Sequence, residues 1–141
     1  MRAVFVDTSV LLDISTADET WSTWSSAQLM EAAETARIVI NIVVYAELSV
    51  HYSRIDDLEA ALPRDMFARE AIPEEAAFLA GKAFQLYRRR GGPRTAPLPD
   101  FFIGAHAAVA GHRLLTRDPK RVRSYFPKLD LITPQAGSKS R

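Results

Sequence analysis

The chain contains no cysteine, which excludes both disulfide bonds and thiolate zinc centres. It also excludes a cysteine nucleophile and accords with a reducing compartment, so a cytoplasmic location is expected. No apolar run approaches the roughly 20 residues that a membrane-spanning helix needs. The apolar opening is broken by Asp7 and Asp13, and no small-residue cleavage site follows, so it does not read as a secretion signal. A Gly-rich phosphate loop is missing, which leaves nucleotide-kinase chemistry without support. There is no internal repeat and no low-complexity segment. Charge is almost balanced, with 18 Lys and Arg against 17 Asp and Glu, so any charged partner must be inferred from where charges cluster.

What is present is an ordinary globular composition over 141 residues, 48% hydrophobic and 25% charged, enough for one substantial core. Residues 1–134 are expected to form a single domain, and 135–141 a frayed tail. Ala3 to Val6, Arg37 to Ile40, Arg113 to Thr116 and Leu129 to Ile132 are short apolar runs that read as buried strands. Phe67 to Ile72 holds a weaker strand pattern. Helical patterns lie between them. One runs from Trp21 to Thr35 and another from Ile42 to Tyr52, the latter with Val43, Ala46 and Val50 on one side. A third spans Ile55 to Leu62, ended by Pro63. The clearest starts at Pro73-Glu74-Glu75, where proline and acids suit the first turn. It ends in Arg88-Arg89-Arg90 before the breaker Gly91-Gly92-Pro93. A last one runs from Asp100 to Ala110. Apolar strands alternating with helices predict a mostly parallel sheet covered on both faces.

Against this frame four acids stand out: Asp7, Glu47, Asp100 and Asp118. Each follows or interrupts an apolar stretch, where a carboxylate is costly without a partner. Ligands of open α/β sheets sit beyond the carboxyl ends of the strands. Asp7 and Asp118 fall just past such ends, Asp100 at a helix start, and Glu47 about two turns into the helix after the second strand. Gathered on one rim, they would repel one another until a divalent cation such as Mg²⁺ or Mn²⁺ neutralised them. Each also has a plainer reading: Asp7 as a cap, Asp100 as a helix-start acid, Asp118 as an Asx-turn. Glu47 is the hardest to dismiss in that way.

The ordered set of Val4-Phe5-Val6-Asp7-Thr8-Ser9, Ala46-Glu47-Leu48, Pro99 to Ala105 and Leu115-Thr116-Arg117-Asp118 resembles the PIN-domain proteins. It is most similar to the VapC-type toxins of bacterial toxin–antitoxin pairs, over nearly the whole chain. The resemblance implies a three-layer α/β/α sandwich with a central parallel sheet. It implies a Mg²⁺- or Mn²⁺-dependent ribonuclease cutting single-stranded RNA, with Asp7, Glu47, Asp100 and Asp118 as metal-site acids. Ser9 and Thr116 match polar positions that support the site. Dimerisation and silencing by a VapB-like antitoxin are implied as well. The Arg117–Asp118–Pro119 sequence departs from relatives with further acids or an Asn there, making the fourth ligand the least secure.

Clustered acids repel RNA, so basic walls are expected beside them. Arg88, Arg89, Arg90 and Arg94 make one candidate RNA-binding wall, although a solvated helix end explains them equally well. Arg117, with Lys120, Arg121 and Arg123, makes the other. Trp21 and Trp24 read as core or dimer contacts. His51, His106 and His112 show no metal-ligand spacing and are expected to be structural or exposed. Two other readings stay open: a PIN nuclease of RNA or DNA processing without an antitoxin, and a non-catalytic module that binds RNA or a partner.

Overall fold

Three-residue strands survive in this chain because the sheet is buried on both faces. The computed structural model describes residues 2–93 and 98–134. Its strands are β1 (Val4–Val6), β2 (Ile38–Ile40), β3 (Phe67–Arg69), β4 (Arg113–Leu115) and β5 (Leu131–Ile132). All adjacent pairs are parallel, in the order β3-β2-β1-β4-β5. Every residue of β1 and β2 is buried, which is why their sequences are unbroken apolar runs rather than alternating ones. The helices are α1 (Thr8–Ser15), α2 (Ser22–Thr35), α3 (Ile42–Ser49), α4 (Ile55–Ala61), α5 (Glu74–Arg89), α6 (Leu98–Ala110) and α7 (Pro119–Tyr125). The architecture is the expected α/β sandwich. None of the described helices is long and apolar enough to cross a membrane. The expected tail, 135–141, lies outside the described residues.

The strand order places the site. From β1 the chain goes to β2 on one side, while β4 and β5 are added on the other. The order therefore reverses between β1 and β4, where Val6 pairs with Leu115. At such a switch point the loops leaving two neighbouring strands diverge and leave a crevice. The Asp7 N–H donates to the Leu115 carbonyl at 2.9 Å, tying the residue after β1 to the end of β4.

The helices are locked by small residues and aromatic rings. The long α5 packs along α6, presenting Ala76, Ala80 and Ala83. Phe101 of α6 meets Phe84, Tyr87, Tyr125 and Phe126, with centroids 5.2 to 6.4 Å apart. Edge-on contacts dominate this cluster, as ring quadrupoles favour. Gly104 lets α6 approach Phe126: a Cβ there would lie 2.7 Å from the ring.

One expectation is corrected, and one element was not foreseen. The buried side of α3 is Val44 and Leu48, while Ala46 and Val50 are exposed, so the stripe is displaced from Val43–Ala46–Val50. The basic stretch after Asp118 is a helix, α7, started by Pro119 in its first turn.

Candidate functional site

Asp7 is the first residue past β1 and occupies the N-cap position of α1, yet its side chain does not cap the helix. Its Oδ2 accepts two hydroxyl hydrogen bonds instead, from Ser9 Oγ at 2.8 Å and Thr116 Oγ1 at 2.6 Å. Thr116 is fully buried just past β4, so neighbouring strands hold the Asp7 carboxylate between them. Ser9 and Thr116, the two polar residues singled out in the sequence, thus both contact Asp7. Thr8, not singled out by the sequence, donates to Glu47 Oε1 at 2.6 Å. Asn41 starts α3 by accepting the Val43 and Val44 N–H groups, and so fixes the helix that carries Glu47.

Asp100 stands in the first turn of α6 and Asp118 just before α7. Asp7, Glu47, Asp100 and Asp118 all line one cavity of about 550 Å³, together with Thr8, Ser9, Tyr87, Lys120, Arg121 and Tyr125. The four acids do share a rim. Burial pushes the Asp7 carboxyl up to about 6, against the lowering effect of the Thr116 and Ser9 hydroxyls, and the charges of Asp100 and Glu47 add to the rise. Burial raises Glu47 too, partly offset by Thr8, with Asp100 again adding to the rise. Asp100 is raised by burial while Arg121 opposes. Among the described residues, Asp100 alone of these three pairs with a cation, Arg121.

Asp118 differs from the other three. It is exposed, and Arg117 Nη1 lies 3.2 Å from both of its oxygens. The expected RNA-facing role of Arg117 also changes. Its Nε spans both oxygens of buried Asp13 at 3.0 and 2.9 Å, and its guanidinium sits 5.7 Å from the Trp21 ring centroid. Ser25 donates to the same Asp13 at 2.7 Å. Arg117 is thus a clamp between α1 and the end of β4, because a buried carboxylate demands its cation. Asp13 was missed as a structural anchor; its signal was an acid inside the apolar Val10–Ile14 turn. Trp21 and Trp24 pack edge-on at 6.2 Å, in keeping with a packing role. Arg88 and Arg89 end α5, and Arg90 lies over the Tyr125 ring at 5.2 Å, beside the cavity. Arg94 lies outside the described residues.

A second cluster was not foreseen. Glu70, His106 and His112 bring three potential ligand atoms within 4.8 Å of one another. Both imidazoles are buried, with Nε2 atoms 3.1 and 2.8 Å from Glu70 Oε1, whereas His51 is exposed. The histidines are structural as expected, but the inference drawn from their spacing was incomplete, because Glu70 comes from beyond β3. Hydrogen bonding decides how the cluster is wired. Asn41 Oδ1 is used by the α3 cap, so its amide N–H faces His106 Nδ1 at 3.0 Å. That nitrogen must accept, which puts the His106 proton on Nε2, donating to Glu70. A metal-bound histidine needs the reverse, with its outer nitrogen donating to an acceptor. The cluster is a hydrogen-bond relay. Burial lowers the His106 pKa despite Glu70 and keeps the ring neutral. Burial alone would raise Glu70, but hydrogen bonds from His112, Arg37 and His106 hold it down at about 2.

With this geometry in hand, the relatives are informative. The sequence profile of the PIN domain matches residues 4–126. The chain belongs to the PIN-domain family. Its fold is shared with VapBC2 from Rickettsia felis bound to a promoter DNA fragment, at 18% identity and TM-score 0.68, covering 93% of this chain and 98% of that one. VapBC-1 from nontypeable Haemophilus influenzae is similar at 17% identity and TM-score 0.70, covering 93% and 97%. A toxin–antitoxin complex from Klebsiella pneumoniae is similar at 21% identity and TM-score 0.67, covering 94% and 98%. No curated protein sequence matches significantly.

The acidic rim of this PIN domain fits a hard divalent cation. Its donors are carboxylate oxygens, and its most enclosed acid is destabilised by two neighbouring negative charges. Asp7, Asp100 and Glu47 would hold the ion, with exposed Asp118 acting from the edge of the cavity.

Proposed function

We propose that the protein is a Mg²⁺- or Mn²⁺-dependent endoribonuclease that cuts single-stranded or loop regions of RNA as the toxin of a toxin–antitoxin pair. The observation that carries this reading is the position of Asp7, buried at the switch point of the sheet, accepting only from hydroxyl groups and raised to about 6 beside the charges of Asp100 and Glu47. Such an arrangement costs stability and is difficult to explain as scaffold. A bound divalent ion would supply the charge that neutralises a phosphodiester and lowers the pKa of an attacking water. The Ser9 and Thr116 hydroxyls hold the Asp7 carboxylate at a fixed angle, and Thr8 does the same for Glu47. No side chain in the cavity is needed as a general base. Tyr87 and Tyr125 offer ring surface on which an unpaired base can stack, and Lys120 and Arg121 offer cationic groups for the backbone. The antitoxin reading is supported by structural neighbours described as a toxin–antitoxin complex and as a member of the VapBC family of toxin–antitoxin systems. A VapB-like partner is proposed on the same footing, and a homodimer on the family resemblance alone.

The test is incubation of total cellular RNA with purified protein, in Mg²⁺ or Mn²⁺ and in EDTA, beside Asp7→Asn. Cutting at discrete sites that requires both ion and Asp7 is expected. Cleavage that persists in the variant would overturn the assigned centre.

A further inference from the structure

Arg121 lines the acidic cavity and pairs with one of its acids, Asp100, an unusual position for a phosphate-binding group. Its Nη1 donates to Asp100 Oδ2 at 2.7 Å, so it engages a carboxylate that the proposed function assigns to the ion. The guanidinium lies 5.5 Å from the centroid of the Tyr87 ring, and the same ring lines the cavity. Neither partner of the pair is sealed in: the Arg121 side chain is 38% exposed and that of Asp100 42%. A pair this accessible is worth little in water and can be exchanged. By contrast, Arg117 is fastened to Asp13, whose side chain is only 2% exposed, and is not available for exchange.

We infer that Arg121 is an internal stand-in for the divalent cation, neutralising Asp100 in the metal-free protein and transferring to an RNA backbone phosphate when the ion takes its place. The inference rests on the acidic rim being a metal site for RNA. A doubly charged ion at Asp100 would compete with the guanidinium for the same carboxylate. Once displaced, Arg121 retains the Tyr87 face as a platform and stays at the mouth of the cavity, where Lys120 and Ser124 also lie. The planar fork then suits a phosphate, which it can bind through two parallel N–H donors. Ion and RNA would therefore each favour the other's binding, with one arginine carrying the coupling. The metal-free enzyme would hold RNA weakly, since its best phosphate ligand is engaged.

This exchange has a signature that a structural role does not share. Removing Arg121 frees Asp100, so ion binding tightens, while RNA binding weakens. The experiment compares wild type with Arg121→Gln and, should that variant not fold, Arg121→Met, whose stem still covers Tyr87. Arg121→Lys keeps the charge, and Asp7→Asn serves as the site control. Mn²⁺ affinity is measured by calorimetry, and affinity for a labelled single-stranded oligonucleotide by fluorescence anisotropy. The latter is run with and without Ca²⁺, and the oligonucleotide is checked on a gel for integrity. For Arg121→Gln, Mn²⁺ binding about twofold to fivefold tighter is expected, matching the worth of a half-exposed pair. The gain in RNA affinity that Ca²⁺ gives wild type should shrink, and the salt slope should fall by about 0.7, one phosphate contact on a single strand. Arg121→Lys should lie between the two. Weaker or unchanged Mn²⁺ binding in Arg121→Gln, with Mn²⁺ still lost in Asp7→Asn, overturns this inference alone. A wild type that binds no Mn²⁺ overturns the metal-site reading with it.

Discussion

Two groups of ionisable side chains lie within this small domain, and they solve the problem of burial in opposite ways. The relay of Glu70, His106 and His112 is saturated: one carboxylate receives both imidazoles and Arg37, and its pKa is held at about 2. The rim of Asp7, Glu47 and Asp100 is under-neutralised: Asp100 has one half-exposed arginine, Glu47 and Asp7 accept from hydroxyls, and burial raises all three, Asp7 to about 6. Satisfied charges hold a fold together, whereas unsatisfied ones store free energy for a ligand. Geometry alone would mislead here, since it is the relay that brings three metal-type donors within 4.8 Å. The direction of the pKa shifts and the His106 tautomer distinguish the relay from the candidate site.

The largest effect that sharpens this contrast is on activity. Asp7→Asn should lower RNA cleavage by more than about 100-fold, exceeding the 10–100-fold usual for an outer partner of a metal ligand. The fold should be retained, because an Asn oxygen can still accept from Ser9 and Thr116. Near-normal cleavage by a folded Asp7→Asn would erase the distinction between the two clusters. Conversely, His106→Ala should leave the acid rim in place but cost about 2–4 kcal/mol of stability, seen as a lower midpoint in urea. It opens a cavity under Phe5, whose ring lies 5.0 Å from the imidazole, and strands the Asn41 amide. A midpoint within about 0.5 kcal/mol of wild type would show the relay to be ornamental.

Much of this was readable from residue order, and the failures have physical causes. Strands β1, β2 and β4 were legible because burial on both faces leaves continuous apolar runs bounded by polar residues. The place of Asp7 was legible because it directly follows a buried strand, at the carboxyl end where open α/β sheets gather their ligands, although a capping role had to be set aside by the structure. The phase of α3 was not, since Ile42-Val43-Val44 is apolar at every position and lets the stripe slide. Helix α7 was hidden by its charges: Lys120, Arg121 and Arg123 face solvent or the cavity, and Val122 is its buried anchor. Arg117 looked like its basic neighbours until Asp13 was seen beneath it. The relay was invisible because its members come from three distant segments, and only the fold reveals that Glu70 reaches His106 and His112.

A subtler comparison is thermodynamic and has a definite sign. In the relay, Glu70 ionises near 2 in the folded chain and at 4.5 in an unperturbed one. The unfolded state therefore binds more protons between those values, and the contribution of Glu70 is fully present above pH 4.5 and lost as pH falls toward 2. In the rim, Asp7 ionises near 6 when folded and at 3.8 otherwise. Here the folded state binds the extra proton, so without metal its stability declines as pH rises from 3.8 through 6. Thermal melts in EDTA across this range should separate the two. Glu70→Gln should lower the midpoint at pH 7, with a deficit that narrows toward pH 3. Asp7→Asn should raise it at pH 7.5 by several degrees, at about 2–4 °C per kcal/mol for a chain of this size, and leave it unchanged near pH 4. Saturating Mn²⁺ should reverse the ranking at pH 7.5, because only wild type gains from the ion. An Asp7→Asn that is less stable than wild type in EDTA at pH 7.5 would mean that the carboxylate is already satisfied, and that the rim is scaffold like the relay.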